Sequence, residues 1–198
     1  MNTHDSNLPT ASRRSLLSGA GKTLSLTALG LVAGGALIDT AEAKKAKKAD
    51  PAQDIAVLNA AIALEHEGIA AYSLGAGSGL LTPGVLQVGV TFQSHHKEHR
   101  DALIGAVRTL GGTAVEEKAL GEYAEALNAG SLKNQEDVLR LALKLETGAT
   151  NAYLGLIPAL KDFHLLAARL AGDEAYHVAV LANALGEPIP KAGFLFGA

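Results

Sequence analysis

Apolar residues recur in alternating steps of three and four along four separate stretches of the chain, the spacing of helix faces turned toward a common bundle core. In the first stretch the seam runs Ile55, Leu58, Ile62, Glu65, Ile69, Tyr72, and in the second Phe92, His96, His99, Leu103, Ala106, Leu110. Leu139, Ala142, Glu146, Ala149 and Tyr153 form the third. The fourth is Phe163, Leu166 or Ala167, Leu170, Glu174, His177, Leu181 and Leu185. No alternating strand pattern persists beyond a few residues, so the expected class is all-α.

Breaker residues mark the helix ends. Asp50-Pro51-Ala52-Gln53 offers an N-cap, a proline at the first helical position and a capping-box glutamine. Gly75 to Gly79 closes the first helix, Thr82-Pro83 opens the second, and Gly111-Gly112 ends it. The third is expected from near Asn134 to about Ile157. Pro158 and Asp162 mark a short turn into the fourth, which Gly186 and Pro188 terminate. The link from Gly111 to Asn134 is the long one. A helix of about 27 residues spans roughly 40 Å, and about 22 residues can extend past 70 Å, so this link can cross the whole bundle. Leu120 to Leu127 is expected to add a short helix within it. The architecture predicted is two antiparallel helical hairpins joined by a long crossover.

All four seams are apolar except in one middle layer, which holds Glu65, His96, His99, Glu146, Glu174 and His177. Glu65 and Tyr72 lie seven residues apart, as do Glu146 and Tyr153, so the chain reads as a duplicated pair of helices. One helix of each pair gives a single carboxylate. The other gives two groups at i and i+3, which project from the same face. Ionisable groups in a core are costly unless they are paired or bind a metal, so a metal site is the leading expectation for the layer. Glu98 lies off the seam and is a weak substitute ligand. His66, His95 and His164 read as surface or supporting groups, and Glu67 as solvated. Tyr72 and Tyr153 stand two turns, about 10.5 Å, from the glutamate of their own helix, which favours core packing over a redox role.

A glutamate from each of two helices with Glu-x-x-His from each of the other two is the arrangement of di-iron and di-manganese bundles. Over residues 51–198 the sequence resembles the ferritin-like superfamily, and in particular its exported bacterial, desiccation-related members. The resemblance implies a four-helix bundle holding two iron or manganese ions, with Glu65, Glu146, Glu174 and His177 matching the ligand pattern one by one and His99 matching the histidine of the second motif. It also implies oxidase or peroxide-related chemistry, that of a di-metal oxidoreductase. One position departs from the pattern. His96 stands opposite Glu174, so the second helix offers His-x-x-His, and the layer holds three carboxylates and three imidazoles. Fewer negative charges leave two trivalent ions less well compensated, which puts that chemistry in doubt.

Composition narrows the reading further. Residues 51–198 contain ten Lys and Arg against sixteen Asp and Glu, which gives no sign of nucleic-acid binding. The chain has no cysteine, so any metal is held by nitrogen and oxygen donors. Ahead of the bundle, Ser12-Arg13-Arg14-Ser15-Leu16-Leu17 precedes a weakly apolar stretch from Thr23 to Ile38 and the small-x-small site Ala41-Glu42-Ala43. This segment resembles a twin-arginine export signal, with Leu16 where phenylalanine is usual. It implies passage through the twin-arginine translocase, cleavage after residue 43, and a place in the periplasm or cell envelope. The apolar stretch, about 16 residues long, falls short of the roughly 20 that a spanning helix needs. Residues 44–50, with Lys44, Lys45, Lys47 and Lys48, form a basic linker. Phe194-Leu195-Phe196 is an apolar tail suited to covering a bundle end or to a contact within a homo-oligomer. The alternative to a metalloprotein is a non-catalytic or metal-free bundle of the envelope stress response, whose polar layer is a hydrogen-bonded network.

Overall fold

A computed structural model describes residues 51–197. The segments expected to form an export signal, residues 1–43, and a basic linker, residues 44–50, lie outside these residues. The described chain is helical throughout its regular structure: α1 spans Ala52–Gly77, α2 Pro83–Thr109, α3 Leu120–Ala126, α4 Gln135–Leu156 and α5 His164–Ala184, with 3₁₀ turns at Ala129–Ser131 and Ile157–Ala159. Among the described residues no helix is long and apolar enough to cross a membrane.

α1 packs chiefly on α2, and α4 on α5, giving the two expected hairpins. The crossover from Gly111 carries α3 and returns the chain to the start of α4. Gly111 ends α2 with φ of 78°, a left-handed conformation that costs glycine little. Asn134 caps α4 by accepting the backbone N–H of Asp137 at 2.9 Å.

The start of α1 differs from the expected capping box. Gln53 does not cap the helix; its amide donates to the carbonyl of Ala159 at 2.6 Å, tying α1 to the turn between α4 and α5. Asp54 makes the same tie from a buried position, accepting the backbone N–H groups of Lys161 and Asp162, each at 2.9 Å. A buried carboxylate with two backbone donors is satisfied, and it fixes one hairpin against the other.

The seam residues divide at the polar layer. On the side of the α1 N-terminus, Leu58, Ile62, Leu103, Ala106, Val107, Tyr153, Leu156, Ala167 and Leu170 belong to one buried cluster. On the opposite side the buried apolar cluster is smaller, Phe92, Leu139 and Leu181, with half-buried Tyr72, Val85, Ala142, Leu143, Val180 and Leu185 packed against it. The first half of α2 explains the difference: between Pro83 and Thr91 no residue is buried, and the stretch includes Gly84 and Gly89. These ends are called here the packed end and the open end. Phe194 and Leu195 are exposed and cap neither, although the backbone N–H of Gly197 donates to the Asn151 side chain at 2.8 Å.

Candidate metal centre

All six layer residues named from the seams are buried, and the fold brings them together. Their donor atoms form two groups of four, Glu65, His96, His99 and Glu174 in one and His96, Glu146, Glu174 and His177 in the other, with the atoms of each group within 4.8 Å of one another. His96 and Glu174, the two residues that duplication places opposite each other, belong to both groups. Nitrogen and oxygen donors in two adjoining sets fit a pair of borderline-to-hard divalent ions.

The three imidazoles are oriented differently. His177 turns Nδ1 inward, 3.3 Å from Glu146 Oε2 and 3.2 Å from Glu174 Oε2, and its Nε2 faces outward, 3.0 Å from His95 Nδ1. His99 likewise turns Nδ1 to Glu174 Oε1 at 3.1 Å, with Nε2 3.3 Å from Asp173 Oδ2. One nitrogen in and one held from outside is the usual posture of a ligating histidine, because the outer partner fixes tautomer and ring angle. His96 departs from it: Nδ1 lies 2.7 Å from Glu65 Oε2 and Nε2 lies 3.2 Å from Glu146 Oε1. Both its nitrogens face the site, one toward each half. The ring fits there because α1 carries Gly68, where a Cβ would stand 3.0 Å from His96 Nδ1.

Tyr72 and Tyr153 are more than packing groups. The Tyr72 hydroxyl donates to Glu146 Oε1, and the Tyr153 hydroxyl donates to Glu65 Oε1. Each tyrosine therefore serves the glutamate of the opposite hairpin, and the two bonds run in opposite order along the helices, so α1 and α4 are antiparallel at this level. Burial, followed by the adjacent carboxylates, holds both phenols well above their ordinary range, which keeps them neutral donors.

Burial opposes ionisation of Glu65, but hydrogen bonds to His96 and His99 outweigh it and hold its carboxyl below the usual value. The same contest leaves Glu146 well below the usual value, through hydrogen bonds to Glu174, His177 and His96. Glu174 is raised, by burial and then by its hydrogen bond to Glu146, so a proton between these two resides on Glu174. Burial pushes the imidazoles down, yet the carboxylates prevail: His96 is held well above its ordinary range by Glu146 and Glu65, His177 is raised by Glu146 and Glu174, and His99 is pushed up to about 10 by Glu174 and Glu65. Carboxylates and imidazoles thus favour each other's charged forms across the layer, and a metal would compete with protons for the same donor atoms.

The remaining candidates fall outside the layer. Glu98 and His164 are exposed. His66, expected near the surface or in support, is buried against the crossover, with Nε2 3.3 Å from the Val115 carbonyl and Nδ1 3.9 Å from Glu117. Glu67 is half-buried, and burial raises its carboxyl despite Lys118 and Lys144. Asp173 was missed by the sequence reading because it is exposed and off the seam, although its adjacency to Glu174 points it at the neighbouring helix.

A four-helix bundle that gathers carboxylates and imidazoles from its four helices in one buried layer has the donor set to hold metal ions. The chain belongs to the ferritin-like domain family, whose model matches residues 53–187. A search of the curated proteins finds no match. Among solved structures, the crystal structure of a conserved hypothetical protein from Mycobacterium tuberculosis is similar, with a TM-score of 0.60 and 23% identity over 74% of this chain and 99% of that one. At that identity the likeness speaks for the fold.

Proposed function

We infer that this is an exported ferritin-like protein that holds a dinuclear iron or manganese centre in its polar layer and takes part in oxidase or peroxide-related protection of the cell envelope. The carrying observation is the pair of buried four-donor groups that share His96 and Glu174. Glu65 and His99 would hold one ion, Glu146 and His177 the other, with His96 and Glu174 facing both. When bound, the ions supply Lewis-acid and one-electron chemistry. The chain's own residues orient the ligands, through Tyr72 and Tyr153 on the glutamates and His95 and Asp173 on the outer imidazole nitrogens. Three carboxylates rather than four favour divalent ions. The twin-arginine route, which carries folded proteins, is compatible with a centre filled before export.

A second reading has its own support. Every layer residue already has a hydrogen-bonding partner, so the layer also satisfies itself as a metal-free network. Metal analysis of protein taken from its native compartment separates the two. Two equivalents per chain are expected, with at least one lost in Glu146→Ala and in Glu174→Ala, and uptake should release protons and weaken on acidification. Full metal content in both variants would sink the assignment. Oxygen consumption with ferrous iron then distinguishes a catalyst from a protein whose metal only stabilises the fold, and fractionation of cells carrying Arg13→Lys with Arg14→Lys tests export.

A further inference from the structure

The open end of the bundle encloses a cavity of about 350 Å³, within the range of roughly 300–1,000 Å³ found for small-molecule sites. It lies between α1, the first halves of α2 and α4, the end of α5, and the crossover, which contributes Leu127 and Leu132. Its inner wall is formed by Tyr72, His96 and Glu146, three residues of the layer or bonded to it, and its outer rim includes Val88, which is exposed. The space thus runs from solvent to the candidate metal centre. Apolar space of this size is costly to leave without partner atoms, and small residues on two helices leave it, Gly89 on α2 and Ala142 on α4.

The lining also sets the chemistry of an occupant. Leu, Val, Ala and Gly make up most of it, and neither Lys nor Arg is present. Of the two carboxylates that face it, Glu146 is already bonded by Tyr72, His96 and His177, and Glu67 is only half-buried, with burial raising its carboxyl. An anionic head would meet two acids and no cation. A cationic head at the inner wall would lose its hydration for Glu146, an acid that already has three partners. The geometry points to a binding site for a neutral aliphatic molecule, its chain along the cavity and one end against Tyr72, His96 and Glu146. This names a ligand class for the face of the proposed centre, but the binding itself stands on the cavity and not on the metal.

Isothermal titration calorimetry of the 198-residue chain with 1-octanol, octanoate and octylamine tests it, on preparations whose metal content is measured in parallel. Saturable binding of about one octanol per chain is expected, with octanoate and octylamine at least tenfold weaker. Gly89→Leu and Ala142→Leu each fill the cavity from a different helix and should weaken octanol at least tenfold without changing metal content. At Gly89 a Cβ meets only Tyr72 Cδ1, at 3.7 Å, so the backbone accepts the change. No saturable octanol binding, or a charged analogue that binds as tightly, overturns the proposal, as does unaltered binding in both folded variants. Self-association broken by Val88→Asp, without octanol binding, would assign the opening to a second copy of the chain. Octanol binding to protein that takes up no iron or manganese when titrated with either keeps this site and removes the metal reading; metal uptake without octanol binding removes this site alone.

Discussion

The packed and open ends of this bundle carry the same seam periodicity and opposite fillings. Toward the α1 N-terminus the seam is set with Leu, Ile and Val, and Leu103 and Ile62 are almost wholly enclosed. Toward the α1 C-terminus the positions facing the axis include Gly75, Gly89 and Ala142, and a cavity remains. The polar layer lies between them. On the packed side, Tyr153 closes Glu65 away from solvent, whereas on the open side Tyr72 and Glu146 line the cavity. A fold that needed only stability would fill both ends to similar density. The difference teaches that one end holds the helices together and the other gives access to the layer.

The largest effect expected to test this contrast is on stability. Leu103→Ala, in the packed end, should cost about 2–5 kcal/mol, because a buried leucine leaves a void that its neighbours only partly close. Leu86→Ala lines an existing cavity and should cost about 1 kcal/mol or less, since its loss makes little new void. Urea unfolding of the two variants measures both. Equal costs would mean that the open end is as tightly built as the other, and the division of labour would fail.

A smaller effect separates the two tyrosines, which make the same bond in different surroundings. Tyr153→Phe leaves a Glu65 oxygen without its donor in an enclosed core and should cost about 1.5–3 kcal/mol, as for hydrogen bonds to charged groups. Tyr72→Phe exposes Glu146 to the cavity, where water can replace the lost hydroxyl, and about 1 kcal/mol is expected. The comparison is clean because hydroxyl removal changes little volume. A Tyr72→Phe cost equal to that of Tyr153→Phe would show that water does not reach the layer from the open end.

These contrasts also show what the sequence could disclose. The four seams and the six layer residues were legible, since a charged or imidazole side chain at a core register position stands out against apolar neighbours. The long crossover followed from loop length alone. The tyrosine bonds were not legible: distance along each tyrosine's own helix argued against them, and their true partners are fixed by the antiparallel register of α1 against α4. Asp54 carries no signal in the sequence beyond that of an acid in a first helical turn, and only the approach of residues 161–162 reveals its role. The cavity escaped notice for a different reason. Periodicity records whether a seam position is apolar, and Gly89 satisfies it while leaving the volume of a side chain empty.

The smallest effect concerns two glycines of the open end that differ in what lies opposite them. Alanine at either position should raise helix stability by roughly 0.5–1 kcal/mol, because glycine loses more backbone freedom in a helix interior. Gly89→Ala should show that gain in full, since its new Cβ meets Tyr72 Cδ1 at an ordinary 3.7 Å. At Gly68 the Cβ would stand 3.0 Å from His96 Nδ1 and 3.1 Å from Cε1, and this buried ring can yield only by leaving its place between Glu65 and Glu146. Gly68→Ala is therefore expected to lose most of the gain in stability and to bind metal more weakly than Gly89→Ala, as read by thermal melting and metal titration of the same samples. Equal melting gains with unchanged metal binding would show that His96 has room to move, and that its two inward nitrogens are not a fixed feature of the centre.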